Sequence, residues 1–213
     1  MRPETPSKLK RRKWETAGIL LDADRLPSPV DFAAMFGNTR PVELEIGSGK
    51  GTFLLARASA RPEVNFLGLE YAAAYAGYCA DRFRRAKLTN VRILRVEAGA
   101  FFKAALAPHS LQRVHVYFPD PWPKRRHQRR RLIQPAFVDL VRRVLRPGGQ
   151  LLIVTDHFDY ARHIRRVLQD VAGFVRIPTP RLVETEGLVG TNFERKYRAQ
   201  GRPVYSLALM RYV

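Results

Sequence analysis

The sequence predicts a doubly wound α/β fold on a mostly parallel, seven-stranded sheet. Three observations carry that expectation. From Pro41 onward, short apolar runs suited to strands alternate with segments of helical periodicity. A glycine-rich turn, Gly47-Ser48-Gly49-Lys50-Gly51, joins the first of these runs to a helix. Polar residues of interest recur at the carboxyl ends of the predicted strands, where such sheets bind ligands.

Taken in order, residues 1–13 are polar and carry Arg2, Lys8, Lys10, Arg11, Arg12 and Lys13. This run is expected to be a disordered basic arm, either touching phosphates or simply solvated. Residues 14–213 are expected to form a single domain. Residues 14–40, with Pro27, Pro29 and Gly37, form a lead-in that holds a short helix at Phe32–Phe36. Val42–Ile46 is the first strand, and a helix starts at Phe53. Residues 64–69 form the second strand, and Ala74, Tyr75, Tyr78, Cys79, Arg82 and Phe83 mark the helix after it. Residues 91–96 form the third strand, with a short helix around residues 100–106. Residues 114–118 are a continuous apolar run, as in a strand buried on both faces. Phe137, Leu140, Val141, Val144 and Leu145 give an amphipathic helix closed by Pro147-Gly148-Gly149. Residues 151–155 are the fifth strand, and Ile164, Val167, Leu168 and Val171 mark the next helix. Phe174–Ile177 and residues 204–210 complete the seven strands.

The chain of 213 residues is long enough for one good-sized core. Its 38 basic and 19 acidic residues leave a net charge of +19, which points to a nucleic acid or an anionic membrane surface as partner. The single cysteine, Cys79, excludes an internal disulfide and a cysteine metal cluster, and no metal is expected. No apolar run reaches the roughly 18–20 residues of a membrane span, and no signal-peptide core is present, so a cytoplasmic protein is expected.

Glycines at 47, 49 and 51 allow positive φ and close backbone approach to a ligand. Glu70 closes the second strand, where an acidic side chain can accept from both hydroxyls of a ribose. Glu45 precedes the glycine loop. A carboxylate there is unfavourable beside a pyrophosphate but suits a cationic ligand. S-adenosylmethionine, with its sulfonium and ammonium, meets that condition. Glu97, after the third strand, either bonds the adenine edge or caps the following helix.

Pro119-Asp120-Pro121-Trp122-Pro123 is a stiff loop, because three prolines fix φ at three of its five positions. It displays Asp120 and offers Trp122 as a stacking face for a base. Lys124, Arg125, Arg126, His127, Arg129, Arg130 and Arg131 follow. Like charges packed so closely repel, and phosphates would relieve the repulsion through released counterions. Arg125, Arg126, Arg129, Arg130 and Arg131 are therefore the candidate contacts to an RNA backbone.

The segments EIGSGKG, GLE, PDPWPKRRHQRRR, LRPGGQLLIVTD and TNFERK stand in the order found in bacterial tRNA (guanine-N7)-methyltransferases of the TrmB type. The chain resembles that family over residues 41–211. The resemblance implies a Rossmann-like class I S-adenosylmethionine-dependent methyltransferase fold. It also implies methyl transfer to N7 of the guanosine at position 46 in the tRNA variable loop, with S-adenosylhomocysteine as the product. By the same resemblance, Glu45, Glu70, Glu97 and Asp120 would line the cofactor site, with Asp120 catalytic. Lys124, Asp156, Thr191, Asn192, Phe193 and Glu194 would meet the guanosine or its surroundings. Glu97 stands where the family pattern has an aspartate.

The chemistry agrees with a carboxylate at Asp120. Guanine N7 is nucleophilic without losing a proton, so the catalyst must position it and manage the charge that moves into the ring. Asp156 and Glu194 could bond the guanine N1–H and N2–H2 edge. Their alternative roles are helix caps, since Thr191-x-x-Glu194 is also a capping-box signature. Three rival readings are an S-adenosylmethionine-dependent methylase acting on another RNA atom or on a basic-site protein, a basic RNA-binding subunit with a vestigial pocket, and a nucleotide-linked dehydrogenase. Monomer and homodimer are both open.

Overall fold

The computed structural model describes residues 14–169, 171–180 and 190–212; the expected basic arm lies outside them. All seven expected strands are present: β2 (Val42–Ile46), β3 (Asn65–Leu69), β4 (Val91–Leu94), β5 (Leu111–Tyr117), β6 (Leu145–Thr155), β7 (Phe174–Ile177) and β8 (Tyr205–Arg211). An eighth, β1 (Leu20–Leu21), adds to the sheet edge by pairing with Ile93 and Leu94. Two residues are too few for periodicity to reveal. The start of β6 also differs from expectation. Leu145, read as the end of a helix, pairs with Leu111 before a shift in register.

The strand order is β1-β4-β3-β2-β5-β6-β8-β7. All pairings are parallel except those of β8 with β6 and β7. Chain order reverses between β2 and β5, which lie side by side with Ile46 opposite Val116. In an open sheet of this kind, the ligand crevice forms outside the carboxyl ends of those two strands.

Helices cover both faces. On one, α1 (Phe32–Phe36), α4 (Ala98–Ala104), α5 (Pro135–Val144) and α6 (Phe158–Leu168) pack on Leu44, Leu67, Val114, Val116 and Ile153. On the other, α2 (Thr52–Ala60) and α3 (Ala73–Arg85) pack on Phe66, Ile93, Tyr117 and Leu152. The two-residue period of a strand sends alternate side chains to opposite cores. Local signals set the helix ends. Asp31 caps α1 by accepting the Ala34 N–H at 3.0 Å, and Gly37 closes it at φ +70°. Gly51 starts α2 at φ +66°, and a Cβ there would stand 2.6 Å from the Phe83 ring. The third loop glycine thus serves close packing against α3.

The α2 face of the sheet hides a polar network that the apolar pattern did not announce. Glu43 on β2 is fully buried. It contacts His115 Nε2 at 2.9 Å, Arg113 at 3.1 Å and Arg57 at 3.6 Å. Burial would raise its pKa, but the His115 hydrogen bond and the surrounding charges outweigh burial and hold it at about 2. Burial lowers the pKa of His115, leaving the ring neutral. An ionised Glu43 can only accept, so Nε2–H donates to it. Nδ1 then accepts the Tyr117 hydroxyl at 2.7 Å.

Candidate active site

Each predicted cofactor residue can now be placed. Glu45 is the penultimate residue of β2 and only 3% exposed. Its Oε2 is buried with no hydrogen-bond partner, and the Ser48 hydroxyl is in the same state. Burial, reinforced by the charge of Glu70, pushes the Glu45 carboxyl up to about 8. The Ser48 hydroxyl opposes the rise but is not aligned for a full hydrogen bond. An orphaned acidic group costs free energy unless a ligand satisfies it. The space above is open: at Gly47, φ +77°, an added Cβ would meet nothing within 4 Å. A buried acceptor beneath an open glycine loop fits a cationic group approaching over the backbone.

Glu70 closes β3 and braces the loop. Its Oε2 accepts the Gly49 N–H and its Oε1 the Ala72 N–H, both at 2.8 Å. Glu97 is exposed and caps α4, accepting from Gly99 at 2.8 Å and Ala100 at 2.7 Å. Of its two sequence readings, the helix cap is the one occupied. Between the residue after Glu70 and the residue before Glu97 opens a cavity of about 500 Å³, flanked by Tyr71, Val96, Arg95 and Asp24. Tyr71 is 75% exposed there. Sequence reading passed over it because an aromatic after a strand is ordinarily core.

Asp120 stands three residues beyond the end of β5, the strand that pairs with β2 at the reversal point. It is exposed, with no hydrogen bond or ion pair to any described residue. The backbone around it is unusual: Phe118 has φ +52° and Trp122 φ +42°, values costly for bulky side chains. The Phe118 N–H bonds the Val154 carbonyl at 2.7 Å. One face of Trp122 is already covered. Arg130 lies over its ring at 5.1 Å and His127 meets it edge-on at 5.9 Å.

Arg125–Arg130 is a 3-10 helix, with Arg125, Arg126, Arg129 and Arg130 exposed as expected of phosphate contacts. Lys124 precedes it, also exposed. Arg131 corrects the expectation. It is 3% exposed and turned inward, bonding the Pro121 carbonyl at 2.8 Å and Asp159 at 2.5 Å. The apolar Leu132-Ile133 after it was the one available signal that the chain dives inward there.

The segment from Thr191 forms α7 (Asn192–Ala199) beside this loop, with Phe118 packed on Phe193 at 6.0 Å and Tyr197 at 5.6 Å. Thr191 Oγ1 accepts the Glu194 N–H at 3.0 Å, and Glu194 Oε2 accepts the Gly190 N–H at 2.8 Å. The pattern is that of a capping box, with the Glu194 carboxylate reaching the residue just before Thr191. Glu194 is fully buried in it, which departs from the expected guanine contact. Phe193 remains 42% exposed beside it. Asp156, after β6, is ion-paired with Arg202, whose guanidinium covers the Tyr197 ring at 4.1 Å.

Comparison with known proteins shows the family and the fold. Residues 39–207 match a family model described as "Putative methyltransferase". A tRNA (guanine-N(7)-)-methyltransferase of Syntrophotalea carbinolica is 38% identical, over 87% of this chain and 80% of the relative. Another, of Nitrosococcus oceani, is 38% identical over 98% of this chain and 87% of the relative. A solved SAM-dependent methyltransferase from Aquifex aeolicus superposes with a TM-score of 0.57 at 17% identity, covering 97% of this chain and 98% of that one. The 16S rRNA methyltransferase KamB gives 0.58 at 16% identity, over 85% and 93%. At such identities, structural likeness speaks for the fold alone.

Proposed function

Because the chain belongs to the tRNA (guanine-N7-)-methyltransferases, which methylate tRNA guanine with S-adenosylmethionine, we propose that it acts on position 46 of the variable loop with Asp120 beside the reacting ring. Position 46 rests on the family resemblance. The observation that supports the site is the orphaned Glu45 Oε2 on β2, the strand that pairs at the reversal point with β5, which leads to Asp120. Glu45 is buried beneath the open loop, and Asp120 is exposed on the neighbouring one.

Glu45 would hold the cofactor's cationic end. Gly47 and Gly49 would let it approach the backbone. Glu70 would receive the ribose hydroxyls through the lone pairs left after bracing Gly49 and Ala72. Gly51 supports this cradle from behind, and Glu97 edges it. When bound, S-adenosylmethionine supplies an electrophilic methyl group on a cationic sulfur. Guanine N7 has an in-plane lone pair and no proton, so no residue need act as a base. N7 methylation leaves the purine cationic, and a carboxylate fixed nearby favours that charge. Asp120 would fill this role, free of hydrogen-bond and ion-pair partners among the described residues and held on a strained, proline-rich turn. Phe193 offers a face to the base, and Thr191 and Glu194 serve by fixing the start of its helix. Lys124, Asn192 and Asp156 would meet the guanosine or its surroundings, as the family resemblance implies. Asp156 would have to share its Arg202 partner with the guanine edge.

The exposed arginines of the 3-10 helix would grip the tRNA backbone alongside. No helix among the described residues is long and apolar enough to cross a membrane, and the cytoplasm, where tRNA is found, is the expected compartment. The test is to methylate unmodified tRNA transcripts and map N7-methylguanosine by reductive strand cleavage. A single break at position 46 supports the reading. Methylation elsewhere, or none, overturns it.

A further inference from the structure

Residues 119–123 are poorly tethered by their own backbone. Pro119, Pro121 and Pro123 have no N–H to donate. Among the described residues, one hydrogen bond reaches this stretch: Arg131 Nε donates to the Pro121 carbonyl at 2.8 Å. The same guanidinium bonds Asp159 at 2.5 Å and lies 5.0 Å from the centre of the Tyr160 ring. Both partners are in the first turn of α6, and Tyr160 is fully buried. The Tyr160 hydroxyl in turn accepts the Ile133 N–H at 3.1 Å, which fixes the chain just past Arg131. A planar fork with donors in set directions is suited to hold two acceptors at once, which an ammonium cannot reproduce.

We propose that Arg131 is a positioning residue, a clasp that ties the carbonyl following Asp120 to α6 and so holds Asp120 at the reacting guanine. The clasp sits between the exposed arginines and the Asp120 loop, so it also fixes the RNA grip relative to the chemistry. It makes no phosphate contact itself. Asp159 supplies the counter-charge. The inference rests on the reading of Asp120 given above.

The test uses the full chain carrying Trp14→Phe, so that Trp122, next to Pro121, is the sole tryptophan. Arg131→Lys, Arg131→Gln and Asp159→Asn are compared by kcat and KM for tRNA, by the salt dependence of tRNA binding, and by quenching of Trp122 with acrylamide. Asp159 is half exposed, so its variant keeps the test alive if the arginine variants fail to fold. In each variant kcat should fall about tenfold or more, because small misplacements of reacting groups are costly. KM for tRNA and the salt slope should hold, and Trp122 should become more accessible. Lysine should not restore kcat, and Arg131→Gln should cost less on top of Asp159→Asn than alone. A salt slope lowered by about one with kcat unchanged would make Arg131 a phosphate contact and end the proposal. Unchanged kcat with unchanged quenching ends it equally. Asp120→Ala, run in parallel, separates the two claims. A slow Asp120→Ala beside a normal Asp159→Asn sinks the clasp alone, whereas a normal Asp120→Ala sinks both.

Discussion

Cofactor binding should release a proton from Glu45. In the cofactor-free protein this carboxyl is pushed up to about 8 by burial and by Glu70, so it is mostly protonated at neutral pH. The other titratable groups coupled to it are Cys79 and Tyr117, both raised well above their ordinary values by burial and so neutral throughout the range. A cationic ligand favours the ionised carboxylate, so affinity must rise with pH until Glu45 ionises unaided. With a pKa of about 8, the ionised fraction grows about twentyfold between about pH 6 and about pH 7.5, and affinity should follow it. Above that window the cofactor's own amino group begins to titrate. The sign for stability is the reverse. A raised carboxyl pKa contributes stability below its unfolded value, near 4.5, which is lost as pH rises through about 8. The cofactor-free protein should therefore weaken toward pH 8, and bound cofactor should reverse the trend. Titration calorimetry in two buffers of different ionisation enthalpy counts the proton directly. Close to one released proton near pH 6.5, abolished in Glu45→Gln, is the expected result. A flat affinity with no proton exchange refutes the placement of a cation at Glu45.

Two further expectations are independent of that one. Replacing Arg125, Arg126 and Arg129 with alanine should weaken tRNA binding and lower its log–log salt slope by about 0.9 for each lost phosphate contact; filter binding across a salt series reads this, and an unchanged slope turns that helix away from RNA. Glu43→Gln should destabilise the fold by about 3–5 kcal/mol at neutral pH, because it leaves buried Arg57 and half-buried Arg113 without their carboxylate; urea denaturation measures it. The pKa of Glu43 is depressed to about 2, so its stabilisation is present above about pH 4.5 and lost as pH falls through about 2. The variant should accordingly lose less than wild type across that acid window.

The sheet was readable because its strands are long enough to show their apolar pattern and are punctuated by glycine and proline. Phe32–Phe36 was legible to the residue, with Asp31 and Gly37 as its caps. Leu20–Leu21 was not, since pairing with β4 rather than any local preference makes it a strand. The chemistry at the strand ends was partly legible for the same reason. Glu45 lies within an apolar run and Glu70 and Asp120 follow such runs, and β2 and β5, the strands that carry Glu45 and lead to Asp120, are neighbours at the reversal. Side-chain direction was the hidden part. Arg131 and Arg130 are chemically identical neighbours in one basic run, yet one is buried by Asp159 and Tyr160 from a distant helix and the other stays exposed. Glu194 carried both of its readings in its spacing from Thr191, and only the packing of α7 on Phe118 decided for the cap. His115 hid inside an apolar strand because its partners, Glu43 and Tyr117, converge only once β2 and β5 pair.

The placement of Asp120 is tested most directly by single-turnover methyl transfer to tRNA with Asp120→Ala and Asp120→Asn, with cofactor affinity measured on the same preparations. The charge-stabilising role predicts rates about a hundredfold or more below wild type for both variants, with the isosteric asparagine no better than a few-fold above alanine and cofactor affinity largely kept. Wild-type rates in Asp120→Asn would show that the carboxylate's charge does not act on the guanine.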